Sequence, residues 1–304
     1  MQQLTRRDFI RHAIAGGATL AGASVFTGCQ TTPRQTHSFN GDAQVQLGRT
    51  GIKVSRLAQG TGFNGSARQS DHTRMGYEAF ERLLRHGMQN GVTFIDMADL
   101  YGTHPFVHRA VKDLPRDKYV LLSKIWVRKE NWVTPTGGAR GEVERFRKEL
   151  DVDTVDIVLI HCTTDDKWTD EYQRVRDELS ECRDKGVVRA VGVSCHDFGA
   201  LKVAATHPWV EVIFARINNR GGQEHVMDAS AEEVSQVLKL ARRNGKAVVG
   251  MKIFGAGKLV TPEAKDASLN YVFQNELVDA ITIGMRKVSE VDDTLECMSR
   301  VKLS

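Results

Sequence analysis

No CxxC pair, no HExxH and no long apolar run beyond residue 28 occurs in this chain of 304 residues. The five cysteines, Cys29, Cys162, Cys182, Cys195 and Cys297, are too scattered for the common zinc-ligand spacings, and no metal is expected. Charge of one sign is lacking too: 42 Lys+Arg against 38 Asp+Glu leaves +4, part of it from Arg6, Arg7 and Arg11 near the N-terminus. Without a basic stripe or basic–aromatic interleaving, nucleic acid is not an expected partner. A hydrophobic share of 41% and a charged share of 26% exclude a disordered or collagen-like chain. No GxGxxG follows the first predicted strand, which argues against a doubly wound dinucleotide fold. His104 and His108, separated by Pro105-Phe106-Val107, read as a pair of surface histidines at a helix start.

What is present begins with an address. Thr5-Arg6-Arg7-Asp8-Phe9-Ile10-Arg11 precedes a weakly apolar stretch rich in Ala and Gly. A charged segment, a short apolar segment and small residues form a secretory signal. The paired arginines followed by Phe9-Ile10 resemble the twin-arginine (Tat) export signal, which implies the export machinery as a partner. Phe26-Thr27-Gly28-Cys29 resembles a bacterial lipobox, implying lipidation of Cys29 as the sole membrane attachment. Cleavage after Ala21-Gly22-Ala23 is the competing reading. The expected organisation is a signal over 1–28, a polar linker over 29–43 and one folded domain over 44–304, exported to the periplasm or anchored facing it.

From residue 44 short β-rich runs alternate with amphipathic stretches. Strands are predicted at 54–57, 93–97, 119–123, 155–160, 188–193, 212–217, 247–251 and 280–283. Helical stretches lie at 76–90, 139–150, 170–185, 231–244 and 289–300, and Gly91, Gly186 and Gly245 each end one before a strand. Near-continuous apolar strands between helices predict a parallel sheet covered by helices. Eight units in roughly 260 residues predict an α/β fold of the (β/α)8 TIM-barrel type. Val45-Gln46-Leu47, a turn at Gly48 to Gly51, and Ile52-Lys53-Val54 predict a hairpin capping the barrel bottom.

Active sites of such barrels lie at the C-terminal strand ends. Asp96 ends the second predicted strand, with Tyr101 in the following loop; Lys124 and His161 end the third and fourth. An acid, a phenol, an ammonium and an imidazole converging on one mouth form a proton-donor system. An adjacent Lys⁺ is expected to lower the phenol's pKa, and a buried carboxylate to keep that lysine charged. Nothing here is an activated nucleophile, so a hydride donor fits the set.

These residues resemble a family. Leu47-Gly48-Arg49-Thr50-Gly51-Ile52-Lys53-Val54-Ser55-Arg56-Leu57 and Asp96-Met97-Ala98-Asp99-Leu100-Tyr101-Gly102 look like the opening of aldo-keto reductases. Leu122-Ser123-Lys124, Asp156-Ile157-Val158-Leu159-Ile160-His161 and Val191-Gly192-Val193-Ser194 continue it in order. The resemblance implies a catalytic tetrad of Asp96, Tyr101, Lys124 and His161, with Tyr101, His161 and Trp126 touching a small carbonyl substrate. It implies NADPH, with NADH as the alternative, held by Ser194, Met251, Lys252, Phe254, Gly255, Gly257, Gly284, Met285, Arg286 and Asp293. Arg286 suits a 2′-phosphate.

Several positions depart from the family pattern. Cys195 stands for an asparagine, Phe214 for a glutamine, Met251 for a stacking aromatic and Asp293-Thr294 for Glu-Asn. The chain also stops soon after the last predicted helix, without the tail that closes the pocket in many relatives. The two function classes implied are an exported NAD(P)H-dependent carbonyl reductase and a reductase-like barrel that only binds or senses. Mass spectrometry of the mature N-terminus tests the address: the lipobox reading expects a lipid-modified Cys29, whereas a chain starting at Ser24 rejects it.

Overall fold

The computed structural model describes residues 39–128 and 138–302. The twin-arginine segment, Cys29 and most of the expected linker lie outside the described residues. In chain order the strands are β1 (Gln44–Gln46), β2 (Lys53–Ser55), β3 (Leu57–Gly60), β4 (Phe94–Asp96), β5 (Val120–Trp126), β6 (Val155–Thr163), β7 (Val188–Cys195), β8 (Val212–Arg216), β9 (Ala247–Met251) and β10 (Ala280–Ile283). Strands β3 to β10 are parallel and close into a barrel, β10 pairing with β3 through Ile281 and Leu57. This is the predicted TIM barrel. The antiparallel β1–β2 hairpin buries Leu47, Ile52 and Val54 in the same apolar cluster as the barrel-interior residues Phe94, Leu122 and Ile157. That cluster explains why residues 44–55 read as strand–turn–strand before any barrel strand begins.

Two predicted elements need correction. The first barrel strand is Leu57–Gly60, not 54–57, because Val54 and Ser55 are spent on the hairpin and Ser55 Oγ turns the chain by donating to Leu57 O. The predicted helix over 170–185 is broken into Trp168–Glu171 and Gln173–Asp184. Helices at Phe198–Thr206 and Pro262–Gln274 complete the coat. Gly91, Gly186 and Gly245 end their helices at φ +80°, +74° and +77°, a left-handed turn that L side chains avoid. Phe39, at the end of the expected linker, packs on Phe273 with ring centroids 4.5 Å apart, under the Arg56 guanidinium.

Side-chain alternation along each strand positions the site. Inward residues pass from apolar to polar toward the C-terminal mouth: Phe94 then Asp96, Leu122 then Lys124, Leu159 then His161, Phe214 then Arg216, and Ala280 then Thr282. Outward residues such as Ile95, Leu121, Val158 and Val191 form the second cluster, beneath the helices. With a period of two, a single register places these inward polar side chains at one end of the barrel. Among the described residues no helix is long and apolar enough to cross a membrane.

Candidate active site

At the mouth, Lys124 Nζ donates to Asp96 Oδ1 and, at 2.9 Å, to Met97 O. Thr282 Oγ1 donates to the other carboxylate oxygen at 2.8 Å, so both Asp96 oxygens are engaged. Asp96 and Lys124 are buried, and each partner compensates the desolvation of the other. Thr282 did not emerge from the sequence; its inward parity near the end of the eighth barrel strand was the available signal.

Tyr101 ends a short 3-10 turn, Asp99–Tyr101, closed by Gly102 at φ +65°. A Cβ on Gly102 would stand 2.0 Å from Arg68 O, so only glycine admits the loop there. The phenol ring lies flat in a slot made by two further glycines. A Cβ built on Gly62 would fall 2.3 Å from the ring, and one on Gly65 2.5 Å from it. Both belong to the loop after β3 and were not read as site residues from the sequence.

Tyr101 Oη lies 3.3 Å from His161 Nε2, and the Lys124 ammonium 5.2 Å from the tyrosine ring centroid. Trp126 meets His161 edge-on at 5.2 Å between centroids. The expected lowering of the Tyr101 pKa by Lys124 is not what this geometry produces. Burial pushes the phenol well above its usual value near 10, and the negative charges of Asp96 and Cys162 push it further. The lysine's charge is spent on Asp96. Burial also drives His161 well below its usual value, helped by Lys124, His196 and Lys252, so the imidazole is neutral.

Behind Tyr101 runs a belt of ion pairs. Arg68 contacts Asp99 at 3.3 Å and Glu149 at 2.6 Å, and Arg145 reaches Asp99 at 2.7 Å and Glu149 at 2.9 Å. His104, expected at the surface, is instead 1% exposed and bridges Glu149 (2.7 Å) to Ser123 Oγ (2.8 Å), the neighbour of Lys124. The correction has a physical reason: its helix starts against β5, so a side chain at the first turn points into the packed layer. Against a desolvation that would raise it, the His104 bond and the two arginines hold the Glu149 carboxyl down to about 2.

From this mouth a groove of about 380 Å³ extends past β9 and β10. Ser194, Met251, Lys252, Phe254, Gly257, Gly284, Met285, Arg286 and Asp293 line it, together with Asp96, Tyr101 and Lys124. Gly255 is buried, and it, His161 and Trp126 lie outside the groove lining. Ser194 Oγ is buried and has no hydrogen-bond partner among the described residues. An orphaned hydroxyl at the groove fits a polar ligand group that completes it. At the far end Arg286 pairs with Asp71 at 3.0 Å and stacks on Phe63, while Glu290 accepts from its backbone N–H. Asp293 is paired with Lys265. No disulfide joins Cys162 and Cys195.

Comparison with known proteins adds the following. Residues 57–270 match the model of the aldo/keto reductase family. Over 221 residues the chain is 25% identical to the NADH-specific methylglyoxal reductase of Escherichia coli, covering 66% of this chain and 64% of that protein. Over 121 residues it is 29% identical to the glyoxal reductase of Bacillus subtilis, covering 39% and 41%. The chain thus spans less than two thirds of the length of these relatives. A Klebsiella pneumoniae aldo-keto reductase solved with NADPH superposes with a TM-score of 0.64 at 18% identity, over 85% of this chain and 90% of that one.

Two outcomes follow from the buried charges. Lys124→Met leaves the Asp96 carboxylate buried without a cation and is expected to cost about 3–5 kcal/mol in urea unfolding. Adding Asp96→Asn is expected to recover part of that loss, since the orphaned charge disappears. For His161, an unfolded imidazole takes its proton near 6.5 whereas the folded one does so only well below. The unfolded state therefore binds more protons in that window, and stability falls as pH drops through 6.5. Between pH 7 and 5 the wild type is expected to lose more stability than His161→Asn; equal pH slopes would show that His161 is protonated in the fold.

Proposed function

The chain belongs to the aldo/keto reductase family, and from that premise we propose that it is a nicotinamide-dependent oxidoreductase acting on a carbonyl or alcohol group, with Tyr101 as general acid and base. The observation that carries this reading is the single groove joining the unpaired Ser194 hydroxyl to Tyr101 and the Lys124–Asp96 pair. When bound, the cofactor supplies a hydride to the carbonyl carbon. Ser194 would hold the carboxamide of the nicotinamide and Met251 would cover a ring face through its thioether. The loop from Phe254 to Leu259 would pass over the pyrophosphate, and Gly284 to Arg286 with Asp293 would hold the adenosine end.

The chain's own part is protonation and positioning. A phenol held high stays protonated through neutral pH and is ready to donate to a carbonyl oxygen. Neutral His161, in its Nε2–H tautomer, donates to the same oxygen without adding charge. Once Tyr101 has given up its proton, the burial that raises its pKa drives the phenolate to take a proton back. Gly62 and Gly65 restrict where the ring can sit, so the donor is oriented before a substrate arrives.

NADPH is the proposed form, on the strength of Arg286. Export through the twin-arginine pathway, with Cys29 as a lipid anchor, belongs to the same proposal: that route carries folded proteins, so a cofactor could be loaded before export. The test is titration of the purified chain with NADPH and NADH, followed by cofactor fluorescence. Tyr101→Phe is expected to keep saturable binding while reduction of a test dicarbonyl falls at least about 100-fold. A folded protein that binds neither cofactor would reject the enzyme reading in favour of a barrel used for recognition alone.

A further inference from the structure

The cations around the mouth are not equally satisfied. Lys124 is paired with Asp96, and Arg216 is paired with Asp228 at 2.8 Å. Lys252, half-buried at the end of β9, makes no side-chain hydrogen bond or ion pair among the described residues. It nonetheless lines the groove beside Asp96, Tyr101 and Lys124. Burial lowers its pKa, Arg216 and Lys124 lower it further and Asp96 raises it, while its own charge bears on His161 and His196. Lys252 follows Met251, which pairs with Arg216 between β9 and β8; Arg216 reaches His196, whose ring centroid lies 6.2 Å from that of His161, so Lys252 stands at the reacting end of the groove and not at the Arg286 end.

The backbone holds it there at a cost. Lys252 has φ +61°, a conformation that glycine adopts freely and lysine does not. Asn218 Nδ2 (3.3 Å) and the Gly255 N–H (2.8 Å) both donate to its carbonyl, which fixes the turn. Strain kept by surrounding bonds is a mark of a functional position. Arg216 supports the same charge from below: one terminal nitrogen lies 2.8 Å from His196 Nδ1, and its Nε is buried without a partner. An ammonium and a guanidinium placed together in a partly desolvated pocket, without a carboxylate for the former, call for an anion from outside.

We propose that Lys252, backed by Arg216, recognises a carboxylate carried beside the reacting carbonyl, so that the substrate class is an oxo acid and not a neutral aldehyde or ketone. The inference rests on the reductase reading. It adds no chemical step: the carbonyl is reduced to the alcohol with the proton of Tyr101, and the carboxylate leaves unchanged on a hydroxy acid. An anionic oxygen is the shared requirement, and a cofactor phosphate is the other source of one.

The experiment compares wild type, Lys252→Met and Lys252→Arg. The first readout is the ratio of kcat/KM for a short 2-oxo acid to that for its neutral amide. The second is calorimetric binding of oxamate, which needs no turnover. Wild type is expected to favour the acid; the ratio is expected to fall at least about 10-fold in Lys252→Met, with oxamate binding weakened alike, and to recover in Lys252→Arg. Methionine is unbranched at Cβ like lysine, so the backbone strain is the same in both. A wild type that prefers the amide would overturn the proposal. So would a Lys252→Met variant with an unchanged ratio and weakened NADPH binding, which would assign the lysine to the cofactor phosphate. Oxamate binding that depends on Lys252, with neither compound reduced, would support the anion site and reject the reductase reading.

Discussion

The buried pair of Lys124 and Asp96 is the contact on which the mouth of this barrel is built. Two charges removed from water are tolerable only when every lone pair and proton is used. Here Met97 O accepts a second Lys124 proton and Thr282 Oγ1 donates to the second Asp96 oxygen. The three side chains come from β4, β5 and β10, so the same contact draws the last strand toward the early ones where the barrel closes. It also decides the electrostatics of Tyr101. A lysine committed to a carboxylate presents the phenol with a pair, not with a lone cation, and burial then wins over attraction.

Tyr101 is consequently controlled by position more than by charge. Its turn is clamped from one side by the glycine slot and from the other by Asp99, which Arg68 and Arg145 both grip. Glu149 and His104 extend the clamp to Ser123, next to Lys124 along β5. The donor and the pair beneath it are thus tied through a belt lying outside the barrel wall. Such a belt is costly to assemble and costly to break, because each carboxylate shares its guanidinium with a neighbour.

Much of the fold was legible because its periods are clean. Ala139–Leu150, Ala247–Met251 and Ala280–Ile283 carry unbroken helical or apolar patterns, and their bounds match the prediction. The first barrel strand was misplaced because one apolar run serves two strands, with Arg56 alone marking the corner between them. Phe198–Thr206 was missed since an Ala-rich helix between short loops has little amphipathic contrast. In the site, strand-end parity was enough to bring Asp96, Lys124 and His161 together with Tyr101. The glycine slot, Thr282 and the burial of His104 were illegible, since each depends on which distant loop closes over the residue. The direction of the Tyr101 shift was illegible for a related reason: it turns on the balance of desolvation against a charge already paired.

The two ends of the groove differ in a way that bears on specificity. At the far end Arg286 already holds Asp71, and Glu290 stands on its backbone N–H. A phosphate arriving there would exchange one anionic partner for another and meet a second carboxylate, so its gain is a difference between two ion pairs. At the reacting end Lys252 has no carboxylate to give up among the described residues, so an anion there displaces no ion pair. Discrimination between phosphorylated and unphosphorylated cofactors is therefore expected to be shallow, and discrimination between charged and neutral substrates steep. The same reasoning explains why an uncompensated lysine can persist in a strained turn: the ion that balances it is supplied with the ligand, not by the fold.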